Sequence, residues 1–132
     1  MDKEKKRKII KYSLIGFLLL VFLIFTLFLL NYAKNKNYDI EVLSGVESIR
    51  ADLISFYSNY NIYPLEIKNR NDILDKDFKE ECCRNLCLDS AMFNRMNALN
   101  IKYLPCAEEG GECSLEIENP QAYRFIYSLK SK

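Results

Sequence analysis

The stretch IEVLSGVESIRADLISFYSNYNIYP, residues 40–64, decides the fold of this chain. Its apolar side chains recur at spacings of 4, 3, 4, 3 and 4 residues, which predicts a helix with one buried face. This stripe consists of Val42, Val46, Ile49, Leu53, Phe56 and Tyr60, and it is broadened by Leu43, Ile54 and Tyr57. Because a proline disfavours helical geometry in the residue before it, Pro64 ends the helix, which we predict over about residues 39–62.

The start of this helix has two interpretations. Asp39 could cap a separate helix. Alternatively, the polar stretch NYAKNKNYD, residues 31–39, could itself be helical and join residues 40–62 to the segment before it as one long rod. The sequence leaves both interpretations open.

The segment before it, from Tyr12 to Leu30, contains no charged residue. Its 19 residues span about 28 Å as a helix, close to the roughly 30 Å hydrocarbon core of a bilayer. We therefore predict a transmembrane helix over residues 12–33, with Leu14 to Leu30 as the lipid anchor. A cleaved signal peptide is the competing interpretation, but the following residues, LNYAK, match a cleavage site poorly.

The charges on either side of this segment predict its orientation. Residues 1–11 carry six basic and two acidic residues, so the positive-inside rule keeps this tail in the cytoplasm and residues 34–132 outside. Without the tail, the totals of 19 basic and 18 acidic residues fall to 13 and 16. We expect no nucleic-acid surface on this outer domain, because phosphate binding needs clustered Lys and Arg.

All the cysteines lie in the outer domain. There are five of them, which suits disulfides in an oxidising compartment and leaves one unpaired: Cys82, Cys83, Cys87, Cys106 and Cys113. Once the strained Cys82–Cys83 ring is set aside, twelve two-bridge patterns remain open, and a bridge from the first three cysteines to one of the last two would close the longest loop. A four-cysteine zinc site is the disfavoured alternative, because the gap between the last two is wide and the chain has no histidine.

In the remainder of the outer domain, the spacing of apolar residues predicts secondary structure less clearly. Residues 65–105 are predicted to hold cysteine-containing loops and a short helix from about Ser90 to Asn100. Two strands are predicted in the region 113–129, in the segments CSLEIE and AYRFIYSL. The acidic residues around Gly110 and Gly111 could bind calcium, although a solvated loop is favoured: Glu108, Glu109 and Glu112.

The end of the amphipathic helix resembles that of type IV pilin-like proteins and of the pseudopilins of type II secretion. The resemblance is strongest over residues 46–64 and is carried by DLISFYSNYNIYP, residues 52–64, with its aromatic pair Phe56-Tyr57 and the exit Tyr63-Pro64. It implies an α+β fold in which a transmembrane helix continues into a long helix packed on a small antiparallel sheet. The residues expected to pack on the sheet are Val46, Ile49, Leu53, Phe56 and Tyr57.

The resemblance also points to a processing site near the amino terminus. Gly16-Phe17 matches the two residues at the cut made by the leader peptidase of this family. The fifth position after that bond is Val21, where the family carries a glutamate thought to pair with the amino terminus of the neighbouring subunit.

These features predict a membrane-anchored structural or assembly component of a secretion, adhesion or DNA-uptake apparatus. We expect the chain to have no enzymatic activity and to bind no cofactor or metal ion, since it has no histidine and no recognisable catalytic motif. Its expected partners are the lipid bilayer and other pilin-like or envelope proteins, with self-association. The alternative is a bitopic coiled-coil scaffold of a cell-division or envelope complex, which predicts parallel dimers and no sheet.

Overall fold

The computed structural model describes residues 2–131, which form one very long helix and a small α+β head. Helix α1 runs over Lys3–Tyr60. The head consists of residues 39–131, in which the carboxy-terminal third of α1 packs against the elements that follow it. The other elements are strand β1 (Ile67–Asn69), a 3-10 turn (Arg70–Asp72), helix α2 (Phe78–Glu81), strand β2 (Leu86–Leu88), helix α3 (Ser90–Ala98), strand β3 (Lys102–Cys106) and strand β4 (Ala122–Ile126).

Helix α1 is continuous, so the stretch 31–39 is helical and the one-rod interpretation is the one observed. Its 58 residues give a length of about 87 Å. The helix ends at Tyr60, two residues before the expected end, because Asn61 takes a left-handed conformation with φ of 59°. The Asn61 N–H donates to the Tyr57 carbonyl at 2.8 Å, and asparagine is one of the few residues that tolerate this geometry at a helix end.

The strands form two separate pairs. Strand β1 is parallel to β2, with Ile67 opposite Leu86, whereas β3 is antiparallel to β4, with Lys102 opposite Ile126. The α+β class is therefore confirmed, but the expectation of a single antiparallel sheet is wrong, because half of the strand pairing is parallel.

The segment 113–118 was expected to be a strand and is not one. It contributes one isolated bridge, from Cys113 to Cys106, and a hydrogen bond from the Ser114 N–H to the Pro105 carbonyl. The partner of β4 is instead β3, which lies almost wholly in the region 65–105 where loops and a short helix, but no strand, are predicted. Pro105 fits this strand because a two-stranded sheet has only edge strands, where the missing N–H costs no ladder bond.

The core lies between α1 and the strands, and α1 supplies the apolar stripe. Its buried members are Val42, Val46, Ile49, Leu53 and Phe56. They pack against Leu86 and Leu88 of β2, Met96 of α3, Leu99 and Ile101 between α3 and β3, and Tyr103 of β3. Each such aliphatic side chain contributes on the order of 1.5–3 kcal/mol when buried.

Gly45 permits the close approach of α1 to the segment between α3 and β3. A Cβ at this position would lie 3.3 Å from Ile101 Cδ1 and 3.7 Å from Leu99 Cδ1. The helix α3 that precedes this segment begins where the Asp89 side chain accepts a hydrogen bond from the Met92 N–H at 2.8 Å.

Two disulfides stabilise local loops of the head. Cys82 is bonded to Cys87 and Cys106 to Cys113, while Cys83 is free. The bridges span sequence separations of 5 and 7 residues, so neither is the long bridge between the two cysteine groups that the sequence left open. Each bridge restricts its own loop in the unfolded chain, and the connection between these loops depends on the apolar core.

Candidate anchoring and assembly site

The uncharged segment 12–30 of α1 is a surface of mostly apolar, exposed side chains. Within residues 2–131, α1 is the one helix that is long and apolar enough to cross a membrane, and its most apolar window has no part buried in the chain. Inside this segment, the Thr26 hydroxyl donates to the carbonyls of Leu23 at 2.8 Å and Phe22 at 3.1 Å. This internal bonding lets a threonine lie in an apolar surrounding at little cost.

Two exposed tyrosines mark the ends of the apolar segment. Tyr12 and Tyr32 are 20 residues apart, which corresponds to about 30 Å along a helix and so to the thickness of a bilayer core. Tyrosine is enriched where hydrocarbon meets the headgroups, because its ring is apolar and its hydroxyl is polar. The two rings therefore define the expected depth of α1 in a membrane.

The head is fastened to α1 directly above this segment. The Asp39 carboxylate is buried and accepts hydrogen bonds from the backbone N–H groups of Lys130 at 2.6 Å and Ser131 at 2.9 Å. The Ser131 hydroxyl and the Lys130 N–H lower the pKa of this carboxyl below its ordinary value of 3.8. We call this arrangement the Asp39 latch; it holds the end of the described chain against the helix.

Tyr38, next to the latch, contacts two further parts of the head. The Lys130 ammonium lies 4.0 Å from the centre of the Tyr38 ring, and the Tyr38 hydroxyl donates to the Leu99 carbonyl at 3.4 Å. Because the latch is seven residues beyond Tyr32, the base of the head lies about 10 Å above the expected hydrocarbon boundary.

The residues expected to pack α1 on a sheet occupy two kinds of environment. Val46, Ile49, Leu53 and Phe56 lie in the core described above. Tyr57 is half-buried; its ring lies 4.7 Å from that of Tyr63, and its hydroxyl donates to Gln121 Oε1 at 3.2 Å.

The helix exit at Tyr63 and Pro64 is held by β3 and by the segment before β4. The Tyr63 N–H donates to the Pro120 carbonyl at 2.9 Å, and the Tyr103 hydroxyl donates to the Pro64 carbonyl at 2.6 Å. Burial raises the pKa of both tyrosines above the ordinary value of 10.0.

The rings around the exit form an aromatic cluster of five side chains: Tyr57, Tyr63, Tyr103, Tyr123 and Phe125. Within it, Tyr63 packs edge-on against Tyr123 with 4.9 Å between the ring centres. This cluster explains the physical use of the aromatic residues before Pro64, since they seat the end of α1 on β3 and β4.

Gly16 and Phe17 lie within α1, four and five residues after Tyr12. Apart from its chain neighbours and the adjacent backbone of α1, nothing lies within 4 Å of a Cβ built on Gly16, and the Phe17 side chain is exposed. The bond between them is therefore inside the apolar segment and free of contacts with the head.

The remaining candidate residues are in the loop between β3 and β4. Glu108, Glu109 and Glu112 are exposed, and Gly110 turns the chain with φ of 73°. Across residues 2–131, no three His, Cys, Asp or Glu side chains are grouped as metal ligands.

Sequence reasoning missed the Asp39 latch, since it considered Asp39 only as a helix cap. An acidic residue in a polar stretch carries no signal of burial, and its partners are 91 and 92 residues away.

Comparison of the chain with family models, with curated proteins and with solved structures finds no match.

Proposed function

We propose that this chain is a pilin-like, single-pass membrane protein that serves as a structural or assembly component of a secretion, adhesion or DNA-uptake apparatus. The amino-terminal tail is cytoplasmic, the apolar part of α1 crosses the membrane, and the head lies outside. The observation that carries this proposal is the unbroken helix Lys3–Tyr60, which exposes apolar side chains over residues 12–30 and buries one apolar stripe in the head in its last third.

A continuous helix couples the membrane mechanically to the head. Residues 31–39 do not form a flexible linker between the apolar segment and the core, because this polar stretch is helical and its last residue, Asp39, is the residue of the latch. A load or displacement applied to the head is therefore transmitted to the membrane segment, as an assembly component requires.

The two disulfides support an outer location for the head. Disulfides persist in oxidising compartments and are rare in the cytosol. The cluster of basic residues on the other side of the apolar segment agrees with this orientation under the positive-inside rule.

The role of the chain in this proposed function is mechanical, and the chain catalyses no reaction. The sequence contains no histidine, and four of its five cysteines are in disulfides, so neither residue type supplies a histidine base or a pair of free thiols. Partners are expected along the exposed side of α1.

A second candidate, the coiled-coil scaffold, is favoured by one observation. Outside the buried stripe of α1, Ile40, Leu43 and Ile54 are exposed at near-helical spacing. A parallel dimer would bring these residues together with their copies, although the ion pair between Glu47 and Arg50 interrupts the stripe.

The experiment that separates the two candidates is photo-crosslinking in the native membrane. A photoreactive residue is placed at Leu43 or Ile54, with matched controls at the exposed neighbours Ser44 and Ser55, which lie about 100° around the helix. If the chain is a pilin-like assembly component, we expect adducts with other envelope proteins, or adducts in which the photoreactive residue is joined to a different residue of a second copy of this chain. Symmetric homodimers at both positions would favour the scaffold, and a lack of adducts above the controls would contradict both.

A further inference from the structure

The tail of α1 carries a collar of positive charge. Its six members are all helical and all exposed: Lys3, Lys5, Lys6, Arg7, Lys8 and Lys11. None of them forms a salt bridge within the described part of the chain, whose ion pairs all lie in the head, and only Asp2 and Glu4 oppose them there. Among the described residues, the six positive charges of the collar therefore face only two negative charges nearby.

The charges of the collar point in all directions around the helix axis. Successive residues of a helix are rotated by about 100°, so the four consecutive residues Lys5, Lys6, Arg7 and Lys8 cover about 300°. A helix that lay flat on a membrane would have its charges on one face. The collar instead suits a helix that stands upright and is surrounded by its ligand.

The depth of the collar follows from the tyrosine at the end of the apolar segment. Lys11 precedes Tyr12 directly, and Lys3 is nine residues before Tyr12, which is about 14 Å along the helix. The headgroup layer begins at this boundary and extends about 5–8 Å outward. Long lysine and arginine side chains can reach that layer from positions beyond it.

We propose that the collar binds the phosphates of anionic phospholipids in the leaflet next to the tail and gathers them into a ring around α1. The inference rests on the membrane-spanning part of the proposed function. Clustered basic residues beside a membrane helix attract anionic lipids at short range, and the attraction is screened by salt. The other end of the apolar segment lacks this surplus, because Lys34 and Lys36 are followed at once by Asp39 and Glu41.

The test uses the full chain in nanodiscs of phosphatidylcholine with a small fraction of spin-labelled phosphatidylglycerol in both leaflets. Both leaflets carry the label, so the orientation of the chain does not matter. The collar variant combines Lys5→Gln, Lys6→Gln, Arg7→Gln and Lys8→Gln, which preserves helix-forming residues. The matched control is Lys34→Gln with Lys36→Gln, and a charge-conserving control is Lys5→Arg with Lys6→Arg and Lys8→Arg.

We expect the preference of the chain for the anionic over the zwitterionic lipid to fall by about tenfold or more in the collar variant. Both controls should keep the preference, and raising the salt concentration should weaken it in the unmodified chain. An unchanged preference in the collar variant, or an equal loss in the outer control, would overturn the inference. So would a collar that binds nucleic acid but shows no lipid preference.

Failure of this inference and failure of the proposed function are distinguishable. A chain that does not insert, shown by its release from membranes at alkaline pH, contradicts the proposed function. A chain that inserts but shows no preference for anionic lipid contradicts only the role of the collar.

Discussion

The Asp39 carboxylate and the Lys130 backbone N–H are separated by 91 residues in the chain and by 2.6 Å in the structure. This hydrogen bond closes the head at the point where α1 leaves the expected membrane surface.

Removing the charge of Asp39 should release the end of the chain. In Asp39→Asn, the amide keeps the shape of the carboxylate but loses one acceptor oxygen and the charge, so one of the two backbone donors is left unpaired. We expect a lower Tm of the head and faster hydrogen exchange at the Lys130 and Ser131 amides. Asp52→Asn, at an exposed position of the same helix, is the control and should leave both unchanged. Equal exchange in the two variants would contradict the latch.

The Asp39 latch should also make the thermal stability of the head depend on pH. Since the folded state lowers the pKa of Asp39 below 3.8, its contribution is complete above that value and is lost as the pH falls through the lower, folded pKa. Thermal melts between pH 6 and 2 should therefore decline more steeply in the unmodified chain than in Asp39→Asn. Parallel declines would show that other carboxyl groups control acid unfolding.

Truncating one core residue of α1 should destabilise the head strongly. Leu53 is fully buried, and Leu53→Ala removes its contacts and leaves a cavity, at a cost of about 2–5 kcal/mol. Ile54, the next residue, is 58% exposed, so Ile54→Ala should change the free energy of unfolding by about 0.5 kcal/mol or less. Denaturant unfolding followed by tyrosine fluorescence measures both. If Leu53→Ala and Ile54→Ala lowered the free energy of unfolding by similar amounts, the assignment of Leu53 to the buried face of α1 and of Ile54 to the exposed face would be wrong.

The hydrogen bond at the helix exit should also be measurable. Tyr103→Phe deletes the hydroxyl that donates to the Pro64 carbonyl and leaves a buried acceptor unpaired, which should cost about 1–3 kcal/mol. Tyr127→Phe alters an exposed ring and serves as the control, with little change expected. If both variants unfold at the same denaturant concentration, the exit does not depend on this bond.

The cysteine assignment predicts a specific labelling pattern. Unfolded without a reducing agent, the chain should take up one alkyl group, at Cys83; after reduction it should take up five. Peptide mapping of the unreduced protein should connect Cys82 to Cys87 and Cys106 to Cys113. A peptide that links the two groups would contradict the pairing.

Some of these features were predictable from local patterns. The uncharged run from Tyr12 to Leu30 and the apolar spacing from Val42 to Phe56 are properties of neighbouring residues, and helices form through contacts between such neighbours. Helix α3, expected from Ser90 to about Asn100, is observed over Ser90–Ala98 for the same reason.

The strand pairing could be predicted only in part. The segment AYRFIYSL alternates clearly and contains β4, but its partner β3 includes Pro105 and alternates weakly. Strands β1 and β2 have three residues each, which is too short for a recognisable period. Their parallel pairing depends on a long connection that brings them side by side, and no local pattern reports such a contact.

By itself, the sequence determined the apolar segment, the amphipathic stripe that follows it and the exit at Pro64, because charge, hydropathy and backbone restriction act between residues close in the chain. Only the tertiary structure decided whether the polar stretch 31–39 continues the helix, which cysteines pair, and that Asp39 is buried against Lys130. Each of these depends on which distant groups become neighbours after the core has formed, and on the balance between burying a polar group and giving it partners.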